Sequence, residues 1–169
     1  MKKLPLLFLL MLLMEVPVAC AQNTLTTFIL IRHAEKGDDG TRDPDLNAQG
    51  MERAKLVASM LEGTQVDAIY STPYKRTTHT VTPLAVAKKL EVKSYDPLKA
   101  DPIQTMLAAH RGGTIVVCGH SNTIPWTANL LTGTNDMQQY DDNAYNILLV
   151  VSVYEMGKVA KVTRLHFGQ

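Results

Sequence analysis

The sequence has few of the residues that several classes of protein require. It contains two cysteines in 169 residues, and no two of its five histidines have His-x-x-x-His spacing, which argues against a zinc site. Its 17 Lys and Arg nearly balance 16 Asp and Glu, and this argues against nucleic acid or an anionic membrane as the main partner. Internal repeats and low-complexity segments are also lacking. These absences leave an ordinary globular domain.

The first 21 residues differ in composition from the rest. Lys2 and Lys3 precede a short apolar run at 4–14, and Ala19-Cys20-Ala21 matches a cleavage site. The run is too short for a comfortable membrane span, so the pattern predicts a signal peptide at 1–21 and an exported protein, periplasmic or extracellular, formed by 22–169. The alternative is a lipoprotein modified at Cys20, the one case in which a membrane would be a partner. The residues before Cys20 match that signal poorly, which favours a soluble exported protein.

Residues 22–169 have the pattern of one domain in which strands alternate with helices. Strands are predicted at 28–31, 66–70, 92–95, 114–118, 146–154 and 159–167, and helices at 47–61, 75–90, 101–110 and 122–131. Asn47, Asp101 and Ser121 are the predicted N-caps of three helices. The alternation predicts a three-layer α/β/α domain with a mainly parallel six-stranded sheet. A tight turn at 155–158 joins the last two strands into a hairpin, which adds one antiparallel strand.

Arginine and histidine side chains follow three of the predicted strands. Arg32 and His33 come directly after the first strand, Arg76 lies in the helix that follows the second, and His120 follows the fourth. Because the loops after parallel strands lie at one edge of a sheet, these four side chains are expected to meet there. The set suits a phosphoryl group. Arginine binds phosphate oxygens bidentately, a neutral imidazole can attack phosphorus, and a protonated imidazole stabilises negative charge.

Three motifs carry a resemblance to a known family. They are Arg32-His33-Ala34-Glu35, the segment 71–80 with the pattern Ser-x-Pro-x-x-Arg-Thr-x-x-Thr, and Gly119-His120-Ser121-Asn122-Thr123. In this order they resemble the signatures of the histidine phosphatase (phosphoglycerate mutase-like) superfamily. The likeness extends over nearly all of 22–169, and the chain is identified as a short, exported, bacterial-type member.

The resemblance implies a mechanism. His33 would be the nucleophile that forms a phosphohistidine, and Arg32, Arg76 and His120 would form the phosphate pocket, with no metal or organic cofactor. The substrate would be a small-molecule or protein phosphoryl compound. Hydrolysis is favoured over mutase activity, because the insertions with which mutases enclose their substrate are lacking. Attack needs neutral His33 whereas His120 should help most when protonated, so a bell-shaped pH profile is expected.

Two features depart from the family pattern. Ala34 stands where glycine is common, which predicts a backbone that does not require glycine there. Ser121 follows His120, where some members have an Asp as the general acid, and the loop after the third strand offers Asp96 and Asp101 in place of a Glu. Both are tentative general acids, and Asp101 is interpreted first as a helix cap. The family includes short members that lack a clear acid and act on good leaving groups such as phosphohistidine.

Two other functions fit part of the sequence. Ser121 lies between a strand and a helix, as the nucleophile of a serine hydrolase does, and Asp141 or Asp142 and then His166 follow in the required order. Against this, Thr123 occupies the position of the second glycine, and the first two motifs are left unexplained. A phosphate-binding module without activity is the second alternative.

The remaining polar segments are assigned to the surface or to substrate selection. The loops 37–44 and 133–143 are expected to select the substrate, and residues 36–42 are interpreted as a solvated loop beside the pocket. His79, His110 and His166 are interpreted as surface or structural residues.

Overall fold

The structure, a computed structural model, describes residues 24–168. The predicted signal peptide at 1–21, with the candidate lipidation site Cys20, lies outside the described residues. Between residues 24 and 168, no helix is both long enough and apolar enough to cross a bilayer.

Six strands and four helices alternate along the described residues, in the order that the sequence predicts. They are β1 Thr26–Arg32, α1 Ala48–Met60, β2 Ala68–Ser71, α2 Lys75–Lys88, β3 Val92–Ser94, α3 Asp101–Ala109, β4 Thr114–Gly119, α4 Thr123–Thr132, β5 Ile147–Glu155 and β6 Val159–His166.

The strands form one sheet with the order β3-β2-β4-β1-β5-β6. The first four strands run parallel, β5 is antiparallel to β1, and β6 is antiparallel to β5. The predicted mainly parallel sheet with one antiparallel strand is therefore confirmed. The register of β1 and β4 pairs Arg32 with Gly119, so that the next residues, His33 and His120, leave the sheet side by side.

Helices cover both faces of the sheet, which explains why β1 is apolar at consecutive positions. Successive side chains of a strand point to opposite faces. Phe28 and Leu30 pack with residues of α3 and α4 in one core cluster, whereas Ile29 and Ile31 pack with residues of α1 and α2 in another. The three layers predicted from the alternation are therefore present.

The predicted N-caps have different outcomes. Asn47 caps α1 as predicted, and its side chain accepts a hydrogen bond from the Gly50 N–H at 2.9 Å. The predictions for Asp101 and Ser121 are wrong, because the residues that precede α3 and α4 are Ala100 and Asn122. Both have a helical backbone instead of the extended one of a typical cap, and neither makes a side-chain capping bond. The helices therefore begin without the predicted caps.

Candidate active site

His33 and His120 lie next to each other at the carboxyl edge of the sheet. The His33 N–H donates to the Gly119 carbonyl oxygen at 2.9 Å, which continues the β1–β4 ladder by one residue. The centroids of the two imidazole rings are 5.4 Å apart. The structure therefore brings together the two histidines that the sequence places after neighbouring strands.

His33 is buried and held in one tautomer. Its side chain is 5% exposed, and Nδ1 lies 2.8 Å from the Ala34 carbonyl oxygen. Because a carbonyl oxygen only accepts, Nδ1 carries the proton and Nε2 keeps its lone pair. Burial, with the positive charges of Arg32 and Arg76 nearby, lowers the pKa of His33 to about 3. The ring is therefore neutral at pH 7, as a nucleophile requires.

The loop after His33 is fixed by α2 and α1. The Ala34 N–H donates to the Thr80 hydroxyl at 2.8 Å, and that hydroxyl donates to the Arg76 carbonyl at 2.6 Å. The described backbone has a positive φ at only one residue other than glycine, Lys89. Ala34 therefore needs no glycine-like conformation, as the sequence predicted.

Glu35 joins the same loop to α1. Arg53 donates from Nε to both carboxylate oxygens at 2.9 Å and from Nη2 to one of them at 2.6 Å. Burial alone would raise the pKa of Glu35, but the hydrogen bonds and charge of Arg53 outweigh it and lower the pKa. A Cβ at Gly50 would clash with the Glu35 carbonyl oxygen, so α1 can approach the loop this closely because position 50 is glycine.

Arg32 is a buried cation with an unused donor. The residue is 6% exposed, and Nη1 donates to the carbonyl oxygens of Asp141 at 2.9 Å and Ala144 at 3.3 Å. Its Cζ lies 4.2 Å from the centre of the Tyr145 ring. Nε has no hydrogen-bond partner, and none of the described carboxylates forms a salt bridge with this side chain. A buried cation in this state has capacity for an anion.

Arg76 lies on the first turn of α2, as predicted. Its side chain is 15% exposed, and Cζ lies 4.5 Å from the centre of the Tyr74 ring. Nη1 lies 3.7 Å from an Asp43 carboxylate oxygen, which is beyond good hydrogen-bond distance. This guanidinium therefore retains donors for a ligand.

His120 is half-buried, and its orientation is set by two threonines. The Thr77 hydroxyl donates to the carbonyl oxygens of Thr72 and Tyr74 at 2.9 Å, and the Thr72 hydroxyl donates to Thr77 Oγ1 at 2.9 Å. The Thr72 oxygen is thus left to accept from Nε2 of His120, 3.0 Å away. The neutral ring therefore carries its proton on Nε2.

The charge state of His120 in the ligand-free protein depends on its burial and on the neighbouring arginines. Burial, together with the charges of Arg76 and Arg32, lowers the pKa of His120 to about 4. At pH 7 the ring is therefore neutral in the ligand-free protein, and the expectation that His120 acts in its protonated form, which concerns the complex, stays a prediction. An adjacent anion favours the charged form of a histidine, so protonation requires a bound phosphoryl group.

His33, Arg76 and His120 face a cavity of about 580 Å³, which we call the strand-end cavity, whereas Arg32 is not among its lining residues. Its lining consists of His33, Lys36, Thr41, Arg42, Pro44, Tyr74, Arg76, Pro97, Leu98, His120, Ser121, Asn122 and Thr123. No described Asp or Glu lines it, whereas three Lys or Arg side chains do. The cavity is therefore suited to an anionic ligand.

The two tentative general acids lie outside the strand-end cavity. Asp96 is exposed, and its carboxylate accepts from the Leu98 N–H at 3.0 Å and lies 3.4 Å from Lys99 Nζ. The Leu98 hydrogen bond, more than Lys99, lowers the pKa of Asp96, which keeps it deprotonated. Asp101 is the exposed first residue of α3. The structure therefore brings neither carboxylate to the two histidines.

The residues of the serine hydrolase alternative do not assemble. Ser121 lines the strand-end cavity, but none of the described residues gives its hydroxyl a histidine partner. His166 is the last residue of β6, three strands from β4 in the sheet. At the usual spacing of strands the two lie roughly 14 Å apart across the sheet. The required Ser–His contact is therefore missing.

Several residues of the site were not assigned a role from the sequence. Thr77 and Thr80 lie within the second motif, so their positions were visible although their partners were not. Thr72 occupies a variable position of that motif and Tyr145 lies outside all three motifs, and their contacts join segments that are distant in sequence. Among residues 24–168, no group of three His, Cys, Asp or Glu is placed to hold a metal ion. The lack of a cofactor stays a prediction.

Comparisons with known proteins agree with this geometry. The model of the histidine phosphatase superfamily (branch 1) matches residues 28–99. Phosphoserine phosphatase 1 of Hydrogenobacter thermophilus is 42% identical over 78 residues, which cover 43% of this chain and 37% of that enzyme. The matched segment thus spans just over a third of the curated relative.

Solved structures share the fold. The protein histidine phosphatase SixA complexed with tungstate has a TM-score of 0.69 at 14% identity, covering 83% of this chain and 96% of that one. A phosphoserine phosphatase mutant from Entamoeba histolytica, in complex with phosphoserine, has a TM-score of 0.63 at 17% identity, covering 82% and 95%. At these identities the likeness concerns the fold alone.

Proposed function

Because the chain belongs to the histidine phosphatase superfamily, we propose that it is a metal-independent phosphatase that works through a phosphohistidine at His33. The observation that carries the proposal is the pairing of a neutral, tautomer-fixed His33 with a buried Arg32 whose Nε has no partner. A neutral imidazole with a free lone pair on Nε2 can act as a nucleophile, and a buried guanidinium with an unpaired N–H can bind an anion. Both lie at the end of the same strand.

The proposed reaction has two steps. In the first, the lone pair of His33 Nε2 forms an N–P bond while the bond from phosphorus to the leaving atom breaks, and the leaving atom takes the electron pair. In the second, a water oxygen attacks phosphorus and loses a proton to solvent, and the N–P electron pair returns to Nε2. The Nδ1–H bond to the Ala34 carbonyl stabilises the positive charge that the ring gains in between.

Three other groups would stabilise the transferring phosphoryl oxygens. Arg32 and Arg76 supply guanidinium donors. His120 gains a proton when the phosphoryl dianion binds, because the added negative charge raises its pKa. Nε2 stays with Thr72, so the new proton is on Nδ1.

The leaving group would need no proton from a carboxylate of the cavity. Asp96 and Asp101 lie outside the strand-end cavity, and no other described carboxylate lines it. We therefore propose substrates with a good leaving group, such as N-phosphorylated imidazoles or aryl phosphates. The name of SixA, a protein histidine phosphatase with the same fold, supports this class, whereas the phosphoserine phosphatase relatives support a wider range of phosphoryl substrates.

Export is a separate proposal that rests on residues 1–21 alone. We expect the mature protein to begin at Gln22, which mass spectrometry of the N-terminal peptide would check. A lipid-modified Cys20 at the N-terminus would instead support the lipoprotein.

The function is tested by hydrolysis of p-nitrophenyl phosphate in excess EDTA. We expect turnover, and rapid acid-free quenching should trap an intermediate that is heavier by one phosphoryl group on the His33 peptide. His33→Ala should remove both signals, whereas Ser121→Ala and the matched control His110→Ala should retain them.

Other outcomes would contradict the proposal. Turnover of p-nitrophenyl acetate that is lost in Ser121→Ala would establish the serine hydrolase. Vanadate binding without turnover of aryl phosphates or N-phosphorylimidazole would indicate the inactive phosphate-binding module.

A further inference from the structure

Two cations of the strand-end cavity have no role in the proposed phosphoryl transfer. Lys36 and Arg42 line the cavity, and both are exposed. Neither has a salt-bridge partner among the described residues. Among residues 24–168, four other Lys or Arg side chains pair with a carboxylate within 3.4 Å: Arg53, Lys55, Lys99 and Lys158. The two cavity cations are therefore available to a ligand.

The segment 36–46 contains acidic residues that could neutralise these cations but are turned elsewhere. Asp38 accepts from Gly40 N–H, Asp39 from Thr41, Asp43 from Lys75 N–H, and Asp45 from His79 and Leu46 N–H. Each of the four carboxylates is thus occupied away from Lys36 and Arg42. The cavity keeps its positive charge because of this arrangement.

The segment is also anchored, so the cations are carried by an ordered loop. Lys36 and Leu46 form an antiparallel bridge, and the Gly37 N–H donates to the Asp45 carbonyl oxygen at 2.8 Å. The Asp43 carboxylate accepts from the Lys75 N–H at 3.0 Å, which ties the loop to the start of α2. An anchored loop gives up less conformational entropy on binding than a free one.

Another part of the lining is apolar. Tyr74, Pro97 and Leu98 contribute to the same cavity, whose volume of about 580 Å³ is within the range of small-molecule sites. The cavity therefore has room for a phosphoryl group and a small organic body beside it.

We propose that the substrate carries a second anionic group, a carboxylate or a second phosphate, which Lys36 and Arg42 bind while His33 takes the phosphoryl group. The proposal rests on the proposed phosphatase function. The juxtaposition that carries it is a pair of cations without a salt bridge to any described residue, in one cavity with the two histidines and Arg76, and no described carboxylate lines that cavity.

The test compares three aryl phosphates that differ in the second group. They are phenyl phosphate, 4-carboxyphenyl phosphate and 1,4-phenylene bisphosphate, so that the last two distinguish a carboxylate from a phosphate. In the double variant Lys36→Met/Arg42→Met, we expect kcat/KM for the two substrates with a second anionic group to fall roughly tenfold relative to kcat/KM for phenyl phosphate. The loss should arise mainly through a higher KM.

A matched double variant controls for the change in net charge. Lys161→Met/Arg111→Met removes the same two charge types from exposed positions on β6 and after α3, outside the cavity. It should alter the ratio between the substrates less than twofold, which is the effect of net charge alone.

Each failure has its own signature. An equal loss of turnover for all three substrates in Lys36→Met/Arg42→Met would overturn the second-anion site, because the cations would then act on the phosphoryl group. No change for any of the three would overturn it as well, whereas a selective loss for only one of the two substrates with a second anionic group would identify that group as the one bound. If the wild type hydrolyses none of the three, the phosphatase function itself fails and this inference fails with it.

Discussion

Two buried arginines near His33 differ in what they contact. Arg32 is 6% exposed and Arg53 is 8% exposed, so both guanidinium groups have left bulk water. Arg53 has a bidentate carboxylate partner in Glu35, whereas Arg32 has two carbonyl oxygens, the face of Tyr145 and an unpaired Nε. A paired buried cation stabilises a fold only weakly, and an unpaired one costs free energy unless a ligand completes it. We therefore propose that Arg53 stabilises the fold and that Arg32 binds the phosphoryl group.

The largest expected effect is the loss of activity in Arg32→Met. Removing a donor aimed at the charge of the transition state should lower kcat about 10³-fold, equivalent to about 4 kcal/mol. The free energy of unfolding should change little, because relief of the desolvated charge offsets the lost bonds to the Asp141 and Ala144 carbonyls. Steady-state kinetics and urea unfolding measure the two quantities. Lost stability with retained kcat would reverse the assignment.

Arg53→Met should have the opposite effect to Arg32→Met, with a loss of stability and little loss of activity. It leaves the Glu35 carboxylate buried without its partner, so we expect the free energy of unfolding to fall by about 3 kcal/mol. Because the pair would be replaced as a unit, the double variant Glu35→Leu/Arg53→Met should recover most of that loss relative to its two single variants. Urea unfolding of the two single variants and the double variant measures the coupling. Simple additivity would show that the pair does not stabilise the loop.

A smaller effect is expected on the stabilisation of the folded protein by a bound oxyanion, which should differ between the Arg32 and Arg53 variants. A ligand at 100 times its Kd stabilises the folded state by about 2.7 kcal/mol. At a fixed vanadate concentration we expect this stabilisation in the wild type and in Arg53→Met, but much less in Arg32→Met. Thermal unfolding with and without vanadate checks it. An equal rise in Tm for all three proteins would place the anion away from Arg32.

The smallest expected effect is on the pH dependence. The pKa of His33 is lowered to about 3, against 6.5 in an unfolded chain, so the unfolded chain binds more protons between these values. The free energy of unfolding should therefore decrease as the pH falls from about 6.5 towards 3, and His33→Asn should reduce that slope. Urea unfolding from pH 7 to pH 4.5 tests this, and identical slopes would contradict a buried neutral His33.

Catalysis should follow the same titrations. Attack needs neutral His33, so kcat/KM should show no acid-side loss from this residue above about pH 4. In the pH profile of kcat, which reports the enzyme–substrate complex, the alkaline side should reflect His120, because a bound phosphoryl group raises its pKa. The bell-shaped profile expected from the sequence is thus kept, but its acid limb moves to lower pH.

The meeting of His33 and His120 could be predicted from the sequence. Each residue directly follows a short apolar strand, and parallel strands bring their carboxyl ends to one edge. The alternation of strands and helices, with the glycine and charge patterns between them, also fixed the layers and the antiparallel hairpin. These features depend on periodicity and on local backbone geometry, which the residue order expresses directly.

The general acid could not be predicted in the same way. Asp96 and Asp101 come after the right strand, but a place in the cavity depends on how the loop folds, and their side chains lie outside it. The same limit applies to Thr72. Its contribution to the site is the hydrogen bond with His120, which lies 48 residues away in the sequence.

The sequence by itself determined that Arg32, His33, Arg76 and His120 would share one edge of the sheet. Only the tertiary structure decided which buried arginine is neutralised. Glu35 is close to Arg32 in sequence but pairs with Arg53, 18 residues away. Gly50 lets α1 approach the Glu35 backbone, which brings Arg53 within reach, while Arg32 extends towards the Asp141 carbonyl. Side chains separated by three residues at a strand end need not point the same way, and packing between distant elements decides which charges meet.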